Sequence, residues 1–341
     1  MDESIAADPE GKRPGIWLAY LQLFRLPNVF TAIADVVMGY LLVRAGYQLL
    51  QDPPQELLGP ADTFPLLLLI LASSLIYTAG MVLNDVFDYQ VDSQERPQRP
   101  LPSGRIPLGR ARALGLLMLL AGIVAAALSG WGVPDAALRW RGLLVAVALV
   151  TAVLLYDGVL KKTVLAPPMM GACRLLNVLL GMSYAGMADV PGGIFLGWEE
   201  YQLLVAAGLG VYITGVTWYA RSEARTSSRQ ALSAGCLVMI AGLVILAVLF
   251  PRSVPEKALL MTTGQAGLFI VVLAATVIYR CAWGVFEPTP KRVQQAVKRC
   301  ILSIILLDAA ITGILCPWYY AVAVLALLVP TLVLGKWLYS T

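Results

Sequence analysis

Asn84, Asp85, Asp88 and Asp92 stand within two helical turns of one another, and Arg96, Arg99 and Arg105 follow closely, all directly after an apolar run long enough to cross a bilayer. At about 100° per residue on an α-helix, positions 84, 85, 88 and 92 fall within an arc of roughly 100° and share one polar face. Carboxylates held that close repel one another unless a cation sits among them. Mg2+ suits such a gap, because it is hard, prefers oxygen, and is usually bound through one or two carboxylates plus substrate phosphates. Arginines just downstream can take the remaining phosphate oxygens bidentately. The chemistry implied is a metal-held phosphate at a membrane surface. The competing reading is a solvated helix end, which does not need its carboxylates on one face.

Two more polar clusters interrupt apolar runs. The first is Tyr156-Asp157-Gly158-Val159-Leu160-Lys161-Lys162, followed by Arg174 and Asn177. Lys161 and Lys162 read equally as anion ligands and as anchors at a membrane surface. Arg174 and Asn177, three residues apart, share a helix face, and an ionisable group at membrane depth is a candidate functional residue by default. The second cluster comprises Tyr212, Thr214, Thr217, Trp218, Tyr219, Arg221, Glu223 and Arg225; Arg221 with Glu223 also reads as an interfacial ion pair. Asp35 and Asp308 are further intramembrane carboxylates, each able to satisfy itself with a hydroxyl or arginine on another helix. Neither is assigned a catalytic role.

These residues must be held by membrane helices. Hydrophobic residues make up 59% of the 341 and charged residues only 13%, a balance outside that of soluble globular chains. Apolar runs able to cross a hydrocarbon core of about 30 Å occur near 24–46, 65–88, 110–131, 141–160, 168–187, 202–221, 230–250, 258–282, 297–316 and 318–338. They predict an all-α, polytopic membrane bundle of nine or ten spans, the doubt in the count being whether Cys316-Pro317-Trp318 turns between two spans or bends one. Residues 1–15 read as a polar tail without the apolar core of a signal peptide, and 16–341 as a single domain.

The positive residues are divided unevenly between the two sides. Lys12, Arg13, Arg96, Arg99, Arg105, Arg110, Arg112, Lys161, Lys162, Arg221, Arg225, Arg229, Lys291, Arg292, Lys298 and Arg299 fall on one side; Arg44, Arg139, Arg141, Arg252 and Lys257 fall on the other. The positive-inside rule predicts an inner (plasma) membrane protein with the Asp-rich motif facing the cytoplasm. A net charge of +4 is accounted for by these short loops and predicts no nucleic-acid partner. The absence of histidine excludes His-ligated zinc, His-ligated haem and a Ser-His-Asp triad. The five scattered cysteines, with no Cys-x-x-Cys pair, read as small packing residues.

Asn84-Asp85-x-x-Asp88-x-x-x-Asp92, Arg96-Pro97, Arg99-Pro100-Leu101-Pro102-Ser103-Gly104-Arg105 and the Tyr156…Lys161 segment together resemble the UbiA superfamily of intramembrane prenyltransferases, over roughly residues 20 to 316. The wording around Tyr156–Ser183 and Gly215–Ala224 is most similar to its EboC-type branch. The resemblance implies helices around a central cavity and Mg2+-dependent transfer of a prenyl group from an isoprenoid diphosphate to an unidentified acceptor, by ionisation of the allylic diphosphate. It implies metal ligation by Asn84, Asp85, Asp88, Asp92 and Glu223. It also implies diphosphate contacts from Arg96, Arg99, Arg105, Lys162, Arg174, Asn177, Tyr219 and Arg221, and a catalytic set of Asp85, Asp88, Tyr156 and Lys161. The aromatic faces of Tyr156, Trp218 and Tyr219 are placed to stabilise an allylic cation.

One departure from the family pattern is plain. Where many relatives carry a second Asp-rich motif, this chain has Val216 and Ser227, and keeps only Glu223. Arg221 or Arg225 could replace a second metal with a fixed positive charge. The degenerate motif leaves two alternatives open beside the enzyme: a protein that binds or transports an isoprenoid diphosphate, and a structural subunit whose polar clusters hold helices together.

Overall fold

The computed structural model describes residues 15–48, 57–132, 138–184, 196–221 and 228–339. In chain order the helices are α1 (Ile16–Phe24), α2 (Leu26–Gln48), α3 (Pro60–Phe87), α4 (Tyr89–Glu95), α5 (Leu108–Ser129), α6 (Arg141–Leu155), α7 (Ala166–Gly181), α8 (Glu200–Ala220), α9 (Arg229–Val244), α10 (Phe250–Ser253), α11 (Thr263–Phe286), α12 (Pro290–Leu315), α13 (Trp318–Ala326) and α14 (Leu328–Tyr339). The architecture is all-helical. Eight of the described stretches are long and apolar enough to cross a membrane. Neither α7 nor α12 is among them: α7 is 16 residues long, and the last 18 residues of α12 carry Lys298, Arg299 and Asp308. Each nevertheless packs against α2 within the bundle. Cys316-Pro317 is a turn, with α12 ending at Leu315 and α13 starting at Trp318.

Helix association in lipid relies on close packing through small residues. At Gly171 an added Cβ would meet the Thr214 hydroxyl and the Gly210 carbonyl, so α7 and α8 touch backbone to backbone. Gly215 sits equally tight against Met239 and Gly235 of α9. These contacts bring the second polar cluster on α8 up against the α7 wall.

The end of the bundle away from the Asp-rich motif is held by polar groups that satisfy helix ends. Arg44 and Tyr40 of α2 hold Asp62 in the first turn of α3, at 3.1 and 3.0 Å, and the same carboxylate accepts from Gly59 N–H at 2.8 Å. Arg141 is fully buried and donates to the carbonyls of Met182 and Ser183 just past the end of α7 and to that of Leu196, while its guanidinium lies 5.0 Å from the Trp198 ring centroid. A cation there complements the negative end of the α7 dipole and satisfies carbonyls that would otherwise lack partners. Arg141→Met should therefore cost about 3 kcal/mol and lower the midpoint of thermal unfolding in detergent by about 5 °C or more; an unchanged midpoint would show that the cap contributes nothing.

Candidate active site

The site is assembled where helices end. α3 stops at Phe87, yet the i→i−4 ladder runs on through the break: Asp88 N–H donates to Asn84 O (3.0 Å), Asp92 N–H to Asp88 O (2.8 Å) and Arg96 N–H to Asp92 O (2.8 Å). The motif thus keeps a helical register into α4. The loop after α4 turns tightly at Gly104, whose φ of 73° lies in the left-handed region that glycine adopts without strain. Leu101 and Ile106 from this loop are buried with Ala19, Leu23, Val82, Val86 and Ala111 in a small core of their own, which fixes Arg96 and Arg99 relative to α3.

At the end of α6 a π-turn, Tyr156–Leu160, closes with Lys161 N–H on Tyr156 O at 2.8 Å. Such insertions re-aim side chains and are frequent at functional sites. Here the turn brings Tyr156, Asp157 and Lys161 onto one cavity. Arg25 enters from the α1–α2 junction with a left-handed backbone, φ 47° and ψ 44°, and the helix restarts at once with Leu26-Pro27. Proline near a helix start is pre-organised for it.

The cavity, of about 560 Å³, is lined at its polar mouth by Arg25, Asn84, Asp88, Arg96, Arg99, Tyr156, Asp157 and Lys161. Below the mouth come Tyr77, Met81, Leu149, Val153, Met170, Ile213, Val216, Thr217 and Ile304, and then Thr31, Arg174 and Asn177. Ser73, which donates to the Asn177 side chain at 2.6 Å, lies eleven residues before Asn84 on α3. That separation puts the lower polar tier roughly 16 Å from the mouth, at 1.5 Å per residue.

Each carboxylate of the motif has a cation from the chain itself. Asp85 is paired with Arg25 at 2.8 Å and with Arg99 at 3.5 Å, Asp92 with Arg99 at 2.6 Å, and Asp88 with Lys161. Lys161 Nζ also donates to Asn84 Oδ1. The spacing predicted a single face of carboxylates, but the structure separates them: Asn84 and Asp88 line the cavity, whereas Asp85 and Asp92 are buried behind the arginines. Among the described residues no three carboxylate or thiol side chains form a metal cage. The donor chemistry still fits Mg2+, because the Asn84 and Asp88 oxygens converge on one cation at the cavity wall, and this ion commonly takes one or two carboxylates and completes its shell with phosphate and water.

The other predicted residues are dispersed. Arg105 binds Ser103, Gln98 and Gln22 (3.1, 2.9 and 3.3 Å), so it ties the loop to α1 and does not line the cavity. Lys162 is exposed and outside the lining. Tyr219 is buried on the far side of α8, its hydroxyl donating to Cys281 O at 3.0 Å, and Trp218 is half-exposed; Val216, Thr217 and Ala220 face the cavity in their place. Arg221, exposed at the end of α8, lies close enough to act electrostatically on Tyr156. Glu223 and Arg225 lie outside the described residues. Arg174 pairs with Asp35 and Thr31, not with groups at the mouth. Sequence reasoning passed over Arg25 and Tyr77; the Arg25-Leu26-Pro27-Asn28 wording at the edge of the first span was the available signal for Arg25.

Comparison with known proteins identifies the fold and the family. The profile of the UbiA prenyltransferase family matches residues 56–300. The digeranylgeranylglyceryl phosphate synthase of Sulfurisphaera tokodaii is 32% identical over 174 residues, 51% of this chain and 54% of that protein. That of Methanobrevibacter smithii is 36% identical over 106 residues, 31% of this chain and 32% of that protein. The chain thus spans about half the length, or less, of these curated relatives. Among solved structures, a UbiA homolog from Archaeoglobus fulgidus bound to DMAPP and Mg2+ aligns with a TM-score of 0.54 at 14% identity, over 90% of this chain and 99% of that one. The apo UbiA homolog from Aeropyrum pernix K1 aligns at 0.57 and 18% identity, over 83% and 96%. At these identities the likeness is one of fold, and with the family profile and the apolar helices it makes this an integral membrane protein. Since most of the chain lies inside that profile, it belongs to the UbiA prenyltransferase family.

Proposed function

We propose that this protein transfers a prenyl group from an isoprenoid diphosphate to a nucleophilic acceptor within the membrane, from active-site loops on the cytoplasmic side. The observation that carries this reading is the form of the cavity: four cations (Arg25, Arg96, Arg99 and Lys161) at its mouth, and apolar walls below them. A diphosphate with an isoprenoid tail has the matching shape and charge.

In the reaction, the allylic C–O bond breaks, both its electrons leave with pyrophosphate, and the acceptor bonds to the allylic carbon and loses a proton. Negative charge grows on the departing pyrophosphate, where pre-oriented cations lower the barrier most. Arg25 and Arg99 are held in orientation by Asp85 and Asp92, so little reorganisation is needed when the diphosphate arrives. Asn84 and Asp88, with Asp85 and Asp92 behind them, would hold Mg2+, which would supply Lewis-acid neutralisation of the diphosphate. The Tyr156 and Tyr77 rings beside the cavity can face the developing allylic cation. The positive residues gathered at this end of the bundle support the cytoplasmic orientation. Curated relatives are named digeranylgeranylglyceryl phosphate synthase, which supports a lipid alcohol as the class of acceptor to try first.

Binding of geranylgeranyl thiodiphosphate to the purified protein should require Mg2+, fail in EDTA and be lost in Asp88→Asn; release of pyrophosphate from geranylgeranyl diphosphate in the presence of a polar lipid extract should fall at least about 100-fold in the same variant. Binding without pyrophosphate release from any prenyl chain length would make it a carrier of the diphosphate. No binding under either condition would leave a structural subunit.

Arg221 is proposed to stand in for the positive charge that a second metal supplies in relatives with two Asp-rich motifs, given its position beside Tyr156. Arg221→Ala should then weaken thiodiphosphate binding at least about tenfold, and unaltered binding and turnover would remove it from the site.

A further inference from the structure

Asp35 on α2 and Asp308 on α12 are both completely buried, on helices that pack together inside the bundle. One oxygen of Asp35 is well served: Arg174 Nε lies 2.7 Å from Oδ2, and the Asn177 side-chain amide donates to the same atom at 2.8 Å. Asp35 Oδ1 and both carboxyl oxygens of Asp308 have no such partner among the described residues. Thr312, one turn further along α12, gives its hydroxyl to the Asp308 backbone carbonyl at 2.8 Å and does not serve the carboxyl. The Thr31 hydroxyl donates to Asn28 O at 2.8 Å, and Ser73 donates to Asn177, so the hydroxyls nearby are also engaged.

Among the described residues, Arg174 is the charged group that acts on both carboxyls. With both carboxylates ionised the group would carry two negative charges against one positive, uncompensated in surroundings where a lone charge is very costly. One further unit of positive charge balances it. A metal cation is disfavoured by what surrounds the pair, because the Asn177 amide points a hydrogen, not a lone pair, toward it, and the Arg174 guanidinium beside Asp35 is itself a cation with no lone pair to offer. A proton makes the balance and supplies a hydrogen that joins two of the three unpartnered oxygens.

We propose that Asp35 and Asp308 form a buried proton-binding site, in which Asp308 is the acid, donating to Asp35 Oδ1, and Asp35 is the carboxylate that holds Arg174. The triad is then electrically neutral, and it joins three helices: α12 through the acid, α2 through the carboxylate and α7 through the arginine. Arg174 and Asn177 line the lower tier of the cavity, so the shared proton is also what lets α7 present a guanidinium there without a net charge inside the membrane. This assignment does not depend on the reaction proposed above.

Infrared spectroscopy of the full chain in detergent and D2O at neutral pH should show a protonated-carboxyl C=O band that Asp308→Asn abolishes. The thermal midpoint of that variant should stay within a few degrees of wild type, because the asparagine amide can donate to Asp35 as the acid does. In Asp35→Asn the band should also be lost, because Asp308 is then the one carboxyl left to balance Arg174 and ionises, which keeps the test available if Asp308→Asn does not accumulate. No protonated band in the wild-type protein, or a band that either variant leaves unchanged, would overturn the proposal. So would a Na+-dependent rise in the wild-type midpoint that Asp308→Asn abolishes, since that result assigns the positive charge to a metal ion.

Discussion

A charge withdrawn from water needs a counter-charge within a few ångströms, and in this bundle the counter-charge nearly always comes from a different helix. Arg25 at the α1–α2 junction reaches Asp85 on α3, Lys161 past the end of α6 reaches Asp88 after α3, Arg174 on α7 reaches Asp35 on α2, and Arg44 on α2 reaches Asp62 on α3. Apolar packing in lipid is poor at distinguishing one helix rotation from another, since lipid is as apolar as leucine. The ion pairs supply that distinction. Only one rotation of α2 places Asp35 against Arg174 while Arg44 meets Asp62.

The same requirement shapes the cavity into two polar tiers with apolar walls between them. At the mouth, cations outnumber the carboxylates that line the opening, because Asp85 and Asp92 sit behind the arginines they orient. The excess positive potential faces inward, where an anionic head group can use it. At the lower tier the polar groups are bound to one another, through Asn177, Ser73, Asp35, Arg174 and Thr31, and little hydrogen-bonding capacity is left for a ligand. The wall between the tiers offers an isoprenoid tail mostly apolar side chains and the rings of Tyr77 and Tyr156.

Much of the site's lining was legible in the residues, and the parts that were not share a cause. Asn84, Asp88, Arg96, Arg99, Tyr156, Lys161, Arg174 and Asn177 were all singled out from type and spacing, and all line the cavity. Tyr219 was assigned to the diphosphate because it sits in a polar cluster at the end of α8, but one residue is about 100° of helix, and the phase of α8 turns Val216, Thr217 and Ala220 inward instead. Lys162 is excluded by the same arithmetic, one residue past the π-turn that aims Lys161. Arg25 went unnoticed because a single arginine at the edge of a span reads as an anchor until a carboxylate sixty residues away is found beside it.

The sequence by itself determined the membrane setting, the helices, the polar end of the bundle and the residue types gathered there, because bilayer thickness and the cost of unpaired charge act on local composition. Tertiary structure alone decided which partner each charge takes. It placed Asp85 and Asp92 behind the arginines, Asp88 on the cavity with Lys161, and Asp308 on a helix packed against that of Asp35. Those outcomes depend on helix rotation, on where α3 breaks and on the extra residue in the π-turn, which are fixed by contacts between segments far apart in the chain and leave no periodic trace within any one of them.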